Sequence, residues 1–436
     1  MTRLNLRNTT IAATVLMSLA GQATAQEVVW WYEQATPDQQ ELITTLIEDP
    51  FAAANPDVDL VIDYRGNELD KQLRVAMLSG SGPDLVYTPG PSYVAPMAQA
   101  GQLMPLDDYA AEYGWNDSIL PVFLEMGRYD GTLYALPKTY ETLGLYYNAS
   151  LFEENGWEVP GSVEEMETLA GEMLAAGIVP FAAGNSDWRG ANEWFVSLAL
   201  NSVAGPDKVY QALTGEIPWT DPAFVEAIQA LEGWWDAGYF GDDYFSINSD
   251  DQPAAMLANG DAGMMPSGTW AFQNVAIFFA ESEAEPGFTG FPSAEGDPVF
   301  PLGVGSTFSI AQTSDNPDSA AKVIDFIFSP DFYGPMNSAW QGEWNIPLAD
   351  LSGVTMAEDV LPIFTNAMAT LASSVDQGNY GYTTWTFLPP ATNSLLINGI
   401  EEVWLDRTTA EQFLEEIDAE FREEMADGKV PAIPAR

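Results

Sequence analysis

The chain has 436 residues, 64 acidic against 14 basic, and a formal net charge of −50. Nucleic acid and anionic membrane surfaces would be repelled, so neither is an expected partner. With no cysteine and no histidine, disulfides, thiol nucleophiles, imidazole bases and His- or Cys-based zinc sites are excluded, and no cofactor is expected.

Arg3 and Arg7, an apolar run over residues 11–20 and the small-residue site Ala23-Thr24-Ala25 predict a cleaved signal peptide over residues 1–25. The apolar run is too short to span a bilayer, and no cysteine follows it to carry a lipid. The chain is therefore expected in the periplasm, and not as a lipoprotein. The remainder, with 47% hydrophobic and 12% aromatic residues over the whole chain, is long enough for two or more well-filled domains. Five lysines among so many acids read as adaptation to a saline habitat. The acids are spread along the chain and not gathered in a calcium-type loop.

Strands at 28–30, 58–62 and 84–87 alternate with helices at 37–54, 67–78 and 92–100, a βαβ rhythm that predicts a parallel sheet. Ligands sit beyond the carboxyl ends of such strands. That rule nominates the loops 31–35, 63–66 and 88–92, and within them Tyr32, Glu33, Gln34, Arg65, Thr88 and Gly90.

Residues 131–153 predict a strand at 132–136, a break at Pro137, a second strand at 143–147 and a helix from Ser150. Lys138, Thr139, Tyr140 and Glu141 lie between, hydrogen-bonding groups beside an aromatic ring. A surface hairpin with an incidental glutamate is the alternative. Further helices are expected at 162–176, 193–202, 221–237, 252–257, 317–328, 361–372, 391–404 and 410–425. Extended segments are expected at 261–265, 287–292 and 304–310, with a loop over 334–347. No internal repeat or low-complexity linker is present, and the chain is expected to cross between lobes more than once.

The order of motifs resembles the extracellular solute-binding proteins of ABC sugar importers, the family that includes maltose-binding protein. The marks are Val28-Val29-Trp30, Gly82-Pro83-Asp84, Gly101-Gln102-Leu103-Met104-Pro105-Leu106, the 131–153 segment, Met264-Met265-Pro266-Ser267-Gly268-Thr269-Trp270, and the return from Gly303-Val304-Gly305 through Phe326. The resemblance implies an α/β, two-lobe periplasmic-binding-protein fold, each lobe a mixed sheet flanked by helices, with several interlobe crossovers. It places one lobe at 26–139 plus 306–335 and the other at 140–305 plus 336–436. It implies a monomer that binds a di- or oligosaccharide, or a related polyol or glycoside, and delivers it to the importer's permease subunits without catalysis. Glu141 would accept a sugar hydroxyl and Trp270 would stack on the ring; a structural ion pair and ordinary core are the alternatives for these two.

Thr88 stands where maltose-binding protein has a ligand-contacting tryptophan, Pro91 and Ser92 where it has an aspartate and an arginine, and Gln34 and Ala35 where it has an aspartate and a lysine. These departures put maltose in doubt, though not carbohydrate. Further candidates are Asp187 and Trp188 in the loop Asn185–Arg189, Gly303, Gly305, and the Trp340, Glu343, Trp344 stretch, whereas Trp385 reads as core. Two rival functions remain: binding of a cationic solute such as a polyamine, through Glu33, Asp63, Glu141, Asp187 and Glu343, and glycoside hydrolysis by a carboxylate pair.

Overall fold

The first strand, β1 (Gln26–Tyr32), buries Val28, Trp30 and Tyr32, the period-two pattern of a strand covered on one face. In this computed structural model residues 25–435 are described, apart from Trp188 and Asp359. The expected signal peptide lies outside the described residues, its last residue excepted. β1 pairs in parallel with β2 (Val58–Tyr64) and β3 (Leu85–Thr88). The helix after β1 begins at Pro37 behind a Thr36/Gln39 capping box and runs on, through a π-type turn at Thr44–Glu48, to Ala54. The βαβ reading therefore holds.

After a short hairpin of β4 (Arg128–Tyr129) and β5 (Thr132–Leu133) comes β6 (Leu136–Asn148), one unbroken strand of 13 residues. The expected break at Pro137 is absent. Pro137 is the second residue of the strand and pairs with Thr307 beside a register shift, where the ladder is already irregular and a missing N–H costs little. The remaining strands are β7 (Val179–Phe181), β8 (Ala262–Gly268), β9 (Pro286–Thr289), β10 (Pro301–Ile310) and β11 (Gly381–Tyr382). The main order is β2-β1-β3-β10-β6-β8-β7, with β9 against β6 and β11 against β10.

β6 is shared between the two lobes. Its first half, to Thr142, pairs antiparallel with β10, and from Leu143 it pairs with β8, then β9. Glu141 sits at that exchange of partners.

Two large apolar cores flank the seam. One gathers Val28, Trp30, Phe51, Leu85, Phe308 and Ile324; the other gathers Leu143, Phe181, Trp194, Phe195, Trp234 and Phe413. The stretch 334–347, expected as a loop, begins inside a helix, Pro330–Ala339. Pro335 removes one helical hydrogen bond, but burial of Phe332, Tyr333 and Met336 holds the turn against that loss. Trp340, Trp344, Ile346 and Leu348 follow into the first core, beside Val28 and Trp30.

Candidate functional site

A cleft of ≈ 840 Å³ opens along the seam, lined by residues of both lobes, among them Glu33, Tyr87, Glu141, Trp270, Glu343 and Trp385. Its geometry begins with a β-bulge. The β10–β6 register slips between Val304 and Ser306, at Gly305. A Cβ on Gly305 would fall on the Glu141 carboxylate, so only glycine leaves that carboxylate room. Gly303, the register partner of Glu141, is also too close to the hydroxyls of Thr383 and Thr386 to carry a Cβ.

Around Glu141 the cleft gathers buried charged groups. Lys138, fully buried, donates to Glu343 Oε1 at 2.5 Å, with its Nζ 4.2 Å from the Trp344 ring centroid. Tyr87 donates its hydroxyl to Glu33 Oε1 at 2.5 Å. Burial raises the Glu33 pKa to about 7; Glu343 adds to the rise, while Lys138 and the Tyr87 hydrogen bond oppose it. Glu141 is 7% exposed. Burial also pushes its pKa well above the usual carboxylate range, helped by Glu343 and Glu33 and opposed by Lys138. The Trp385 indole N–H lies close enough to temper that rise without closing a hydrogen bond of ordinary geometry.

Three tryptophans give the cleft its apolar wall. Trp270 packs against Trp194 at 5.1 Å and against Trp385 at 5.8 Å between centroids, at 50° and 74°. The Trp270 ring lies over Gly268, where a Cβ would collide with it. Ring faces bordered by carboxylates match a pyranose, which has apolar C–H faces and a rim of hydroxyls.

Residues 35–332 match the family described as bacterial extracellular solute-binding protein. The chain belongs to that family. Similar relatives include the osmoprotective compounds-binding protein GgtB of Synechocystis, 28% identical over 44% of this chain and 46% of its own length. The alpha-glucosides-binding periplasmic protein AglE of Rhizobium meliloti is 29% identical over 62% of each. A probable sugar-binding periplasmic protein of the same organism is 26% identical over 76% of this chain and 78% of its own. The matches to the first two thus span less than two thirds of those relatives' lengths. Among solved structures, a chitin oligosaccharide binding protein superposes with a TM-score of 0.78 at 20% identity, over 92% of this chain and 99% of that one. The GacH receptor of Streptomyces glaucescens does so at 0.71 and 22%, over 92% and 99%. The fold is that of the two-lobe periplasmic binding proteins.

In this solute-binding protein Glu33, Glu141, Asp187, Trp270, Gly305 and Glu343 line the cleft as a group. Other candidates fall elsewhere. Tyr32 and Trp340 are core residues: Tyr32 stacks on Trp344 (6.1 Å, 3°), and Trp340 packs edge-on to the same ring. Trp344 is itself fully buried, so that tryptophan pair fills the first core and not the cleft. Thr88 is buried and bonds Thr307 across the sheet at 2.6 Å. Gly90, at φ 153°, brings the chain close to the Val304 carbonyl. Tyr140 packs on Phe123, Gln34 is exposed, and Arg65 lies 3.8 Å over the Trp31 ring while pairing with Asp63. Trp188 lies outside the described residues. Trp385, read as core, is buried in the second core and also borders the cleft.

Sequence reasoning missed Asp70, Tyr93, Glu193, Trp194, Asp250 and Asn393, all of them lining the cleft. Glu193 carried a usable signal, an acid in the first turn of the helix Gly190–Ala199, which is buried along its whole length. Asn393 donates its amide to that carboxylate. Burial lifts the Glu193 pKa from 4.5 to about 7, with the Asn393 hydrogen bond opposing. The folded protein therefore holds this proton more tightly than the unfolded chain. The stability so contributed is fully present below about pH 4.5 and lost as pH rises through about 7. Glu193→Gln should raise the unfolding temperature above neutrality, by up to roughly 3 kcal/mol of stability, and change little near pH 4. Thermal unfolding across that range tests this; parallel pH profiles for wild type and variant would refute it.

Proposed function

We propose that this protein captures a carbohydrate in the cleft outside the cytoplasm and delivers it to an ABC importer, without turnover. The observation that carries the reading is the Trp194–Trp270–Trp385 wall beside the Glu141 carboxylate, placed where β6 passes from one lobe to the other. The names of the sugar-binding relatives support the same class of ligand and do not favour a polyamine. Lobe closure about the shared strands would bury the sugar and present a closed form to the permease. We assign export to the periplasm by a cleaved signal peptide, without a lipid anchor, and a monomeric state. The lobe boundaries remain those expected from sequence, except that the packing of residues 336–348 with the first core favours counting them with the first lobe.

Glu141 is the proposed hydroxyl acceptor and Trp270 the proposed stacking platform. Trp270→Ala should lower sugar affinity by on the order of 2 kcal/mol, and Trp270→Phe by less, because phenylalanine keeps a ring face. Calorimetry with mono-, di- and oligosaccharides measures both. Equal affinity in wild type and Trp270→Ala would remove the platform, and release of shortened sugars on incubation would show an enzyme instead.

A further inference from the structure

The cleft gathers more carboxyl groups than cations in its lining. Glu33, Asp70, Glu141, Glu193, Asp250 and Glu343 all line it, whereas the bases in its lining are Lys71 and Arg189. Lys71 is an exposed side chain paired with Glu68 at 3.0 Å. Arg189 is drawn toward Glu401 at 3.7 Å and donates to Asn398 at 2.7 Å. Behind the lining, the ammonium of Lys138 is one cation among the three carboxylates of Glu33, Glu141 and Glu343, and its ion pair goes to Glu343.

Salt adaptation does not account for this excess. Acids gained for a saline habitat act through their hydration at the surface, while Glu141 is 7% and Glu193 2% exposed. A buried carboxylate without a counter-charge is costly, and such a cost persists where binding recovers it. A second observation points the same way. Within the lining, Ser306 Oγ, Asn393 Oδ1 and the Trp385 indole N–H are buried without a hydrogen-bond partner of ordinary geometry among the described residues. With the carboxylate oxygens, the acceptors in this set outnumber the donors. A hydroxyl offers one donor and two acceptor sites, whereas an ammonium offers three donors and no acceptor.

We propose that the carbohydrate taken by this cleft carries a free, protonated amine, seated at the end lined by Glu33, Glu141 and Glu343. This rests on the sugar-binding reading above and narrows its ligand class to amino sugars and amine-bearing glycosides. The tryptophan wall distinguishes such a ligand from a linear polyamine, which has no ring face to stack.

The test is calorimetry of the full mature protein with matched sugars that differ at one carbon: a hydroxyl, a free amine or an N-acetyl amine, as mono- and disaccharides. A linear diamine is run beside them. The free amine should bind about tenfold more tightly than its hydroxyl and N-acetyl partners, the ratio expected for one charge-assisted hydrogen bond. Added salt should narrow that gap, and Glu33→Gln should reduce the amine-to-hydroxyl affinity ratio measured within the variant. Equal or tighter binding of the hydroxyl or N-acetyl sugars would overturn the inference and leave the sugar-binding reading standing. A preference for the amine that survives Glu33→Gln would overturn the assigned seat. Binding of the diamine alone, or of no member at all, would overturn both readings.

Discussion

Replacing Lys138 by methionine should lower the stability of the ligand-free protein by about 3–5 kcal/mol near pH 8, and by much less near pH 5. The side chain is completely buried, its Nζ 2.5 Å from Glu343 and held over Trp344, Tyr87 and Tyr32 at 4.2, 5.6 and 5.8 Å. Its removal leaves Glu343, Glu33 and Glu141 facing one another with no cation between them. At pH 5 Glu33 and Glu141, whose pKa values burial raises, can take up protons and the repulsion fades, whereas at pH 8 that relief costs more. Methionine fills the aliphatic part of the space, so a cavity contributes little. Adding Glu343→Gln should restore more than half of the loss, because removing both members of a buried pair costs far less than orphaning one. Denaturant unfolding of the single and double variants at both pH values measures this. A double variant no more stable than Lys138→Met would mean that Lys138 acts through packing alone.

The parts of this architecture that could be read from sequence are those with local causes. Val28, Trp30 and Tyr32 alternate, Pro37 follows a capping threonine, and the strand–helix spacing up to β3 admits little besides a parallel sheet. The rule that loops after parallel strands carry ligands nominates both Tyr32 and Glu33, and of the two only Glu33 lines the cleft. Both lie beside Tyr87, and only tertiary packing shows that the tyrosine ring stacks on Trp344 in the core while the glutamate lines the cleft.

The misreadings share a physical origin. Pro137 is expected to break the strand because proline removes a donor, but it sits where that donor is expendable, and the loop expected from Gly334 is still helix to Ala339, where burial outweighs the donor lost at Pro335. Two tryptophans near Gly342 looked like a ligand loop. They are core because the helix before them turns them into the first lobe. Glu193, Asp250 and Asn393 converge from elements distant in sequence, and no single-segment pattern reports such convergence. The Gly305 bulge belongs to the same class: a glycine in a strand is ambiguous until the carboxylate it accommodates is known.

Glu141→Gln should move stability and affinity in opposite directions. In the ligand-free protein this carboxylate is buried, its ionised form is disfavoured by burial and by Glu343, and the lysine nearby is committed to Glu343. Its pKa rises on folding, so its ionisation opposes folding at high pH and is neutral at low pH. A glutamine of the same shape fits the space beside Gly305 and carries no charge. The ligand-free unfolding temperature should therefore rise near pH 8 and stay level near pH 4. Sugar affinity should fall by roughly 2–5 kcal/mol, since the variant exchanges a charge-assisted acceptor for a neutral amide. Thermal unfolding without ligand and calorimetry with ligand separate the two effects. A structural ion pair predicts the reverse pattern, lost stability with normal affinity in the molecules that remain folded. That outcome would remove Glu141 from the binding site and leave the tryptophan wall without its polar partner.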